Sequence, residues 1–357
     1  MRNLEMRRIA RFSRNGLLRT LRSAGVAAAL ASSAWRQRRL LILCYHGVSL
    51  LDEDEWDSAL FVTPQFLRRR LEILRDGKYN VLELGNALQL LRSGTLPSKS
   101  VVLTFDDGFY NFSAAAVPVL EEFGFPATVY VSTYHCINQR PLLALTLRYL
   151  LWRGRAQVVN LGRFSTRVGA VDLRDANARA LLANDLLIEA RRLCADRTNQ
   201  LRWLGHIAKT LGIDWDQFLQ QRLLHLMTPD EIASAAKRGF DIQLHTHRHR
   251  TPRDAAQFRF EVGENRRILE SLTQRAAEHF CYPSGDHDPM FLPLLRDLGV
   301  KSATIGVARL TTAADEIMLL PRFVDTMAQS ELVFESWLTG LASLLSPDGA
   351  RLRRSIL

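Results

Sequence analysis

The stretch SVVLTFDDG, residues 100–108, decides the fold of this chain. Its first six residues carry no charge and are mostly apolar, a pattern typical of a strand buried on both faces of a parallel sheet. Two acidic residues and a glycine follow directly. Residues 114–123 then show helical spacing, and residues 127–131 form a second apolar run. A strand, a helix and a further strand in this order predict a parallel α/β sheet or barrel.

The same alternation of strands and helices continues on both sides of this stretch. Upstream, residues 40–45 predict the first buried strand, and residues 64–74 and 84–91 predict helices. Downstream, Thr228-Pro229 predicts the start of a helix, because proline is favoured in the first helical turn. Further strands are predicted at 242–244, 280–282, 303–305 and 319–323.

Between residues 138 and 225 this alternation stops. Leucine- and arginine-rich segments predict helices over 142–151, 177–196 and 215–226, with one short strand near 158–161. We therefore expect an α/β fold in which residues 40–137 and 226–340 form a (β/α) barrel. A mostly helical insertion, residues 138–225, interrupts this barrel, and residues 341–357 are expected to form a C-terminal tail.

Composition and charge exclude several classes of protein. The chain has 357 residues, 47% of them hydrophobic, and a net charge of +10. Ten arginines and one acidic residue fall within residues 1–40, so the rest of the chain is nearly neutral and does not predict a nucleic-acid groove. The sequence contains no run of eighteen or more apolar residues, so it predicts no transmembrane helix. Four cysteines without a CxxC pair favour a reducing, cytoplasmic location.

Residues 1–39 form a basic arm in which apolar residues recur at roughly helical spacing. Among them are Met6, Ile9 and Phe12, and an alanine-rich stretch follows. We expect an amphipathic helix that packs on the protein surface or lies on an anionic membrane at its cytoplasmic face. A secretory signal peptide is a third interpretation, but the charged stretch is too long and the apolar stretch too poor for one.

Polar residues cluster just past the ends of the predicted strands. The carboxyl ends of the strands of an α/β barrel meet at one mouth, so these clusters are expected to converge there. Asp106 and Asp107 form the first cluster. Adjacent carboxylates repel each other unless a cation neutralises one of them or one is tuned for proton transfer. An ordinary Asp-Gly turn or a helix cap explains the same two residues equally well.

Residues 245–249, His-Thr-His-Arg-His, follow the predicted strand at 242–244. His245 and His249 are four residues apart and can bring two imidazoles to one ion, whereas His247 is expected to point away. A lone histidine is more often structural, but Asp107 supplies a carboxylate. The three side chains predict a His-His-Asp metal site with positions left for water and substrate, which is typical of catalytic sites.

Two further strand ends carry candidate residues. In Phe-Cys-Tyr-Pro-Ser-Gly, residues 280–285, Pro283 fixes the backbone, so the amide N–H of Ser284 can point at a developing oxyanion. A plain turn is the alternative. His46 follows the first predicted strand, and by itself it is more often structural than catalytic.

The motifs TFDDG at 104–108, HTHRH at 245–249 and YPSG at 282–285 resemble, in this order, those of the polysaccharide deacetylase family, the NodB-homology domain of carbohydrate esterase family 4. The resemblance covers residues 40–137 and about 226–326, and it implies a distorted (β/α) barrel of the NodB-homology type. The helical insertion and the basic arm lie outside it.

The resemblance also implies roles for individual residues. It makes Asp106 the catalytic base that deprotonates water and Asp107 the metal ligand beside His245 and His249. Thr246 would brace the metal loop by hydrogen bonding. Arg322 resembles the arginine that orients the base, and Asp325 is expected to steady a neighbouring histidine.

One departure from the family concerns the general acid. Many members use a histidine near the C-terminus, but no histidine follows His287 in this chain. Residues 43–46, Leu-Cys-Tyr-His, instead resemble circularly permuted members such as the poly-N-acetylglucosamine deacetylases, and this makes His46 the candidate acid. Ser284 stands where an aromatic residue is common, which leaves a backbone oxyanion donor intact but changes how a sugar ring stacks.

The resemblance implies a metal-dependent hydrolase that removes N-acetyl groups from a polysaccharide or a lipid-linked oligosaccharide, as in exopolysaccharide biosynthesis. The cofactor is expected to be a divalent cation, Zn foremost, with Ni, Co, Mn and Fe as alternatives. An O-acetyl esterase or a deformylase acting on a related sugar is the alternative activity. A catalytically inactive protein that binds a glycan or a membrane surface is the alternative from another class.

Overall fold

The computed structural model describes residues 16–21, 25–162, 164, 169–193 and 196–345. The strands are β1 (Leu41–Tyr45), β2 (Gly47–Val48), β3 (Phe61–Val62), β4 (Asn80–Val81), β5 (Ser100–Phe105), β6 (Thr128–Val131), β7 (Val158–Val159), β8 (Val171–Asp172), β9 (Asp241–Leu244), β10 (His279–Cys281), β11 (Ser302–Ile305), β12 (Leu320–Pro321) and β13 (Phe323–Val324).

The helices are α1 (Val26–Ala31), α2 (Ala34–Gln37), α3 (Glu53–Trp56), α4 (Pro64–Asp76), α5 (Leu84–Ser93), α6 (Val117–Phe123), α7 (Thr133–Asn138), α8 (Leu143–Arg153), α9 (Ala176–Leu193), α10 (Arg197–Thr210), α11 (Trp215–Gln220), α12 (Pro229–Lys237), α13 (Ala255–Thr273), α14 (Phe291–Asp297), α15 (Glu331–Thr339) and α16 (Leu341–Leu345). Residues 16–21 are also helical. A π-helical turn, Phe112–Ala116, precedes α6, and a 3-10 turn covers Pro283–Gly285.

A sheet of nine strands, all paired in parallel, forms the centre of the fold. Its order is β12, β11, β10, β9, β6, β5, β1 and β13, and β4 pairs with β5. Arg322 alone separates β12 from β13, and β12 pairs with β11 whereas β13 pairs with β1. Residues 320–324 therefore contact both ends of this order, and the sheet closes into a nearly complete barrel. This confirms the predicted parallel α/β barrel.

Local sequence explains where the elements begin and why they are buried. Every residue of β1 and β5 is buried, as expected for apolar strands covered on both faces. Helix α4 begins after Thr63, whose side-chain oxygen accepts the amide N–H of Phe66 at 3.0 Å. Helix α12 begins with a capping box in which Thr228 and Glu231 each accept the other's amide N–H.

The insertion has an apolar core of its own. Buried residues of α8, α9 and α10, such as Leu150, Leu186 and Leu204, pack together in a cluster separate from the barrel core. Tyr149 and Arg153 of α8 join this unit to the barrel through hydrogen bonds to the carboxylate of Asp52.

Three details of the insertion differ from prediction. The helix α10 was not predicted, because its apolar residues alternate with charged and polar ones and are buried by packing on α8, α9 and α11. The helix predicted over 215–226 ends at Gln220. The short strand near 158–161 is β7, and it forms an antiparallel pair with β8.

The described part of the predicted arm packs against the barrel. Arg36 is completely buried, and its Nε donates to the carbonyl oxygen of Leu338 at 2.8 Å. Its Nη2 donates to the carbonyl oxygen of Ser100 at 3.2 Å, and burial lowers the pKa of Arg36 to about 10. Ser100 begins β5, so this contact lies at the amino ends of the strands, opposite the predicted mouth.

Most of the residues that carry the other predictions for the two termini lie outside the part of the chain that the structure describes. Residues 1–15, with Met6, Ile9 and Phe12, and residues 346–357 of the predicted tail lie outside the described residues. Residues 341–345 of that tail are helical. Within the described ranges, no helix is both long and apolar enough to cross a membrane. Membrane contact by the arm stays a prediction.

Candidate active site

The predicted motifs converge at the carboxyl ends of the parallel strands, where they line one cavity of about 1120 Å³. The predicted residues that line it are His46, Asp106, Asp107, His245, His249, Ser284 and Arg322. They come from loops after β1, β5, β9, β10 and β12, whose carboxyl ends all lie at the same end of the parallel barrel although they are far apart in sequence.

The backbone is strained where these motifs turn into the cavity. Asp107, Thr246, His249 and Ser284 all have positive φ angles, between 53° and 70°. Non-glycine residues adopt this region at an energetic cost, and such residues concentrate at functional sites. Gly108 has φ 79°, and a Cβ there would lie 2.8 Å from the side chain of Val131. The glycine of the TFDDG motif is therefore required both by its backbone angle and by the space available.

Asp107, His245 and His249 face one another across a distance that suits one ion. Oδ1 of Asp107 lies 3.1 Å from Nε2 of His245 and 3.0 Å from Nε2 of His249. The three ligand atoms all lie within 4.8 Å of one another. The structure thus brings together the predicted His-His-Asp group, and His247 turns away to contact the hydroxyl of Thr133 at 2.9 Å.

Hydrogen bonds fix the ring of His245 for this arrangement. Its Nδ1–H donates to the carbonyl oxygen of Cys281 at 2.8 Å, which leaves Nε2 to face the carboxylate of Asp107 at 3.1 Å. The amide N–H of His245 donates to Oδ1 of Asn265, and Ser132 donates to the carbonyl oxygen of His245. This orientation fits a divalent cation, because an imidazole binds metal through its unprotonated nitrogen.

The loop that carries both histidines is held by a buried glutamate. Glu261 of α13 is fully buried and accepts hydrogen bonds from the amide of Arg248 and from the guanidinium groups of Arg248 and Arg250. Thr246 accepts the amide N–H of Arg250 at 3.0 Å. Thr246 therefore makes the kind of loop-bracing hydrogen bond that the resemblance implied.

Asp106 lies beside the metal group and is bound by an arginine. Nη1 and Nη2 of Arg322 donate to its two carboxylate oxygens at 2.7 Å each, and Nη1 also donates to the hydroxyl of Thr104 at 3.0 Å. Burial alone would raise the pKa of Asp106, but the charge and hydrogen bonds of Arg322 outweigh it and hold this pKa well below its usual range. Asp106 is therefore a carboxylate at neutral pH.

The pKa of Asp107 is lowered by a different set of neighbours. Burial acts to raise it, and the nearby charge of His249 and the hydrogen bonds from His245 and His249 lower it well below its usual value. The two adjacent carboxylates are thus both ionised, Asp106 by an arginine and Asp107 by imidazoles. A cation at the Asp107 group would replace those imidazole protons.

Two cysteines complete the surroundings of Asp106. Sγ of Cys44 and Sγ of Cys281 lie 3.5 Å and 3.3 Å from Oδ2 of Asp106. Burial raises the pKa of both thiols well above its ordinary value, so both remain protonated and donate to the carboxylate.

His46 and Ser284 line the same cavity as the two carboxylates. Nε2 of His46 is 3.8 Å from Oδ2 of Asp106, within reach of a group bound in the cavity. Ser284 has φ 56° in the 3-10 turn after β10, and its amide N–H has no acceptor among the described residues. That N–H is therefore available to a ligand.

Asp325 does not steady a histidine, so this prediction was wrong. Its carboxylate accepts hydrogen bonds from Nε of Arg70 at 2.8 Å and from the hydroxyl of Tyr45 at 3.0 Å, and all three side chains are buried. Arg70 comes from α4, which the sequence motifs did not include. Asp325 is thus part of a buried ion pair behind the site and does not line the cavity.

Sequence reasoning also missed His135, Glu261 and Asn265. His135 follows β6 and lines the cavity, and its buried Nδ1 has no hydrogen-bond partner among the described residues. Glu261 and Asn265 are fully buried on the inner face of α13, four residues apart. Two polar residues on the apolar face of a helix were the signal that could have revealed them.

Comparisons with known proteins agree with this geometry. The family model for polysaccharide deacetylase matches residues 93–153 and 204–303. The poly-beta-1,6-N-acetyl-D-glucosamine N-deacetylase of Escherichia coli K12 is 32% identical over 99 residues, which are 28% of this chain and 14% of that protein. The chain thus spans only a small part of that relative's length. The stretch without a counterpart in the family model, 154–203, is shorter than the predicted insertion.

Two solved structures share the fold. The Streptococcus pyogenes deacetylase PplD, in complex with acetate, aligns with a TM-score of 0.55 and 17% identity over 83% of this chain and 96% of that chain. IcaB from Ammonifex degensii aligns with a TM-score of 0.54 and 16% identity over 84% and 97%. Fold and site together define a NodB-type (β/α) barrel with a potential metal group at its mouth. Over residues 93–153 and 204–303 the chain matches the polysaccharide deacetylase family model, and it shares the barrel fold of the solved deacetylases.

Proposed function

We propose that this protein hydrolyses the acetamido group of an N-acetylated saccharide with the help of a divalent cation, Zn foremost. One observation carries the proposal: the Asp107, His245 and His249 group lies beside an arginine-bound carboxylate, Asp106, in a single cavity. The name of the Escherichia coli relative supports an N-acetylglucosamine unit as the group acted on.

Asp107, His245 and His249 would hold the cation, since one carboxylate and two imidazoles are ligands that Zn and several other divalent ions accept. The bound cation supplies Lewis acidity toward the acetyl carbonyl and toward the hydrolytic water. Asp106 then takes the proton of that water. Arg322 and the two thiols keep its oxygens in place for this transfer, so that no reorganisation is needed when charge moves.

His46 and Ser284 act on the other end of the scissile bond and on the developing charge. The free amide N–H of Ser284 donates to the oxygen of the tetrahedral intermediate. His46 in its protonated form donates to the nitrogen of the departing amine, because an amine leaves far more easily once protonated. We propose that His46, from the first barrel strand, thereby does the work of the C-terminal histidine that this chain lacks.

The experiment is to measure acetate and free amine released from N-acetylglucosamine oligomers. The purified protein is treated with chelator, then supplied with Zn, Co, Ni, Mn or Fe in turn. We expect no release after chelation and restored release with at least one cation. Parallel assays with O-acetylated and N-formylated sugars test the alternative activities. Folded protein that releases nothing from any of these substrates with any cation would contradict the proposal.

A further inference from the structure

The insertion forms one wall of the active-site cavity, and this wall is aliphatic. It consists of residues 142–145, Leu-Leu-Ala-Leu, at the start of α8, together with Leu187 and Arg191 of α9. On the barrel side, Leu60, Val307 and other aliphatic residues continue the apolar surface. The polar catalytic groups thus occupy the bottom of the cavity, and hydrocarbon lines much of its sides.

Such a wall suits a hydrocarbon better than a sugar. A saccharide chain exposes hydroxyl groups, and each hydroxyl placed against an aliphatic surface loses its hydrogen bonds to water without replacement. The described residues that line the cavity include no Asn, Gln, Trp or Phe to receive or stack on a sugar ring. Tyr282 is the only tyrosine there, and it is 1% exposed.

Arg191 places a positive charge in this wall. It lies one helical turn after Leu187 on α9, on the same face, and both side chains line the cavity. Among the described residues, no carboxylate lies within ion-pair distance of Arg191. Its neighbour Arg192 pairs with Glu189 at 2.8 Å, and Arg248 on the barrel side pairs with Glu261 at 3.0 Å. Arg191 is therefore the wall's available cation.

Val307, which lines the cavity from the barrel side, is 39% exposed, so the apolar lining reaches solvent there.

We infer that the substrate is a saccharide joined through a phosphate to a long hydrocarbon chain. The phosphate binds Arg191, and the first units of the chain lie on residues 142–145 and Leu187 while the acetamido sugar reaches the catalytic groups. This inference rests on the proposed function and narrows its substrate class. A free polysaccharide strand, which carries neither phosphate nor chain, is the competing occupant.

The test compares three soluble substrates. They are the ten-carbon isoprenyl phosphodiester of N-acetylglucosamine, its methyl phosphodiester, and methyl N-acetylglucosaminide without phosphate. For the unaltered protein we expect kcat/KM to fall about tenfold or more when the phosphate is removed, as for loss of a charge-assisted hydrogen bond. Removal of the chain should lower kcat/KM on the order of 10²-fold, because several methylene groups then lose their burial.

Two variants and two matched controls assign these effects to the wall. Arg191→Gln should raise KM about tenfold for both phosphodiesters and leave kcat and the phosphate-free substrate unchanged. Arg192→Gln, on the next residue of α9, should change nothing. Ala144→Asp should weaken only the isoprenyl substrate, and Ala180→Asp, also exposed but outside the cavity, should be neutral.

The outcomes separate this inference from the proposed function. Equal kcat/KM for all three substrates, or the same behaviour of Arg191→Gln and Arg192→Gln, would overturn the inference while leaving deacetylation in place. If nothing is hydrolysed, a binding measurement tests the inference instead. The dissociation constant of the isoprenyl phosphodiester is then measured calorimetrically with the Asp106→Asn protein. Tight binding that Arg191→Gln weakens tenfold supports the inference, and absence of binding rejects it.

Discussion

Arg322 and Asp106 form two parallel hydrogen bonds of 2.7 Å in the buried centre of the barrel, although 216 residues separate them in the chain. Arg322 occupies the single residue between β12 and β13, where the strand that closes the barrel is interrupted. The interruption frees its side chain to cross the barrel interior. A carboxylate and a guanidinium that are both desolvated depend on each other, because either one alone would be a buried unpaired charge.

Replacing Arg322 by lysine tests the geometry of this pair. Lysine keeps the charge but cannot form two parallel hydrogen bonds, so Asp106 gains freedom to rotate. We expect kcat to fall about 10- to 100-fold with KM nearly unchanged. Steady-state acetate release measures this, and circular dichroism checks that the variant is folded. An unchanged kcat in folded Arg322→Lys would show that the two-point contact is not needed.

Substitutions should distinguish the roles of the two adjacent carboxylates, Asp107 as the metal ligand and Asp106 as the base. Asp107→Asn removes the anionic ligand, and we expect it to weaken metal binding at least tenfold and to abolish acetate release. Asp106→Asn should keep its metal and lose about 10²- to 10⁴-fold in kcat. Metal content after dialysis and acetate release are measured for both variants. If both lose the metal equally, Asp106 is also a ligand and the assignment is wrong.

His46→Ala should distinguish amide from ester substrates. An amine leaves only when protonated, whereas an alkoxide is a better leaving group, so loss of the proton donor should affect amides more. We expect kcat on an N-acetyl substrate to drop about 10²- to 10⁴-fold, with an activated O-acetyl ester nearly unaffected. Rates on the two substrates are compared in one preparation. Equal losses on both would assign His46 to binding or folding.

His135 should make the stability of the metal-free protein depend on pH. Burial, followed by the charge of Arg140, lowers the pKa of His135 from 6.5 to about 4. Between these values the unfolded chain binds a proton that the folded protein does not, so the free energy of unfolding falls as pH drops through this window. The whole effect is about 3 kcal/mol at most.

Urea unfolding in chelator, at intervals from pH 7 to pH 4, measures this dependence. His135→Gln should unfold with a flatter pH profile across the same window, because glutamine does not titrate. His206→Gln, an exchange at an exposed histidine of the insertion, is the matched control and should keep the slope of the unaltered protein. Identical slopes for His135→Gln and the unaltered protein would contradict the assignment.

Much of the barrel could be predicted from local sequence because its elements are specified within a few residues. The apolar runs at 100–105 and 40–45 could only be strands in this context, and Thr228-Pro229 marks a helix start by its capping chemistry alone. The helix Arg197–Thr210 was not predicted, because the positions of its apolar residues are explained only by their packing against neighbouring helices.

The site divides in the same way. Residue type and spacing were enough to select Asp107, His245 and His249, because a metal site restricts which side chains can serve and how far apart they can lie. Spacing could not show that Asp325 pairs with Arg70, or that two thiols and Arg322 surround Asp106. Those contacts join residues tens to hundreds of positions apart. Only closure of the barrel brings them together, since side-chain contact depends on strand order and register, which no local pattern encodes.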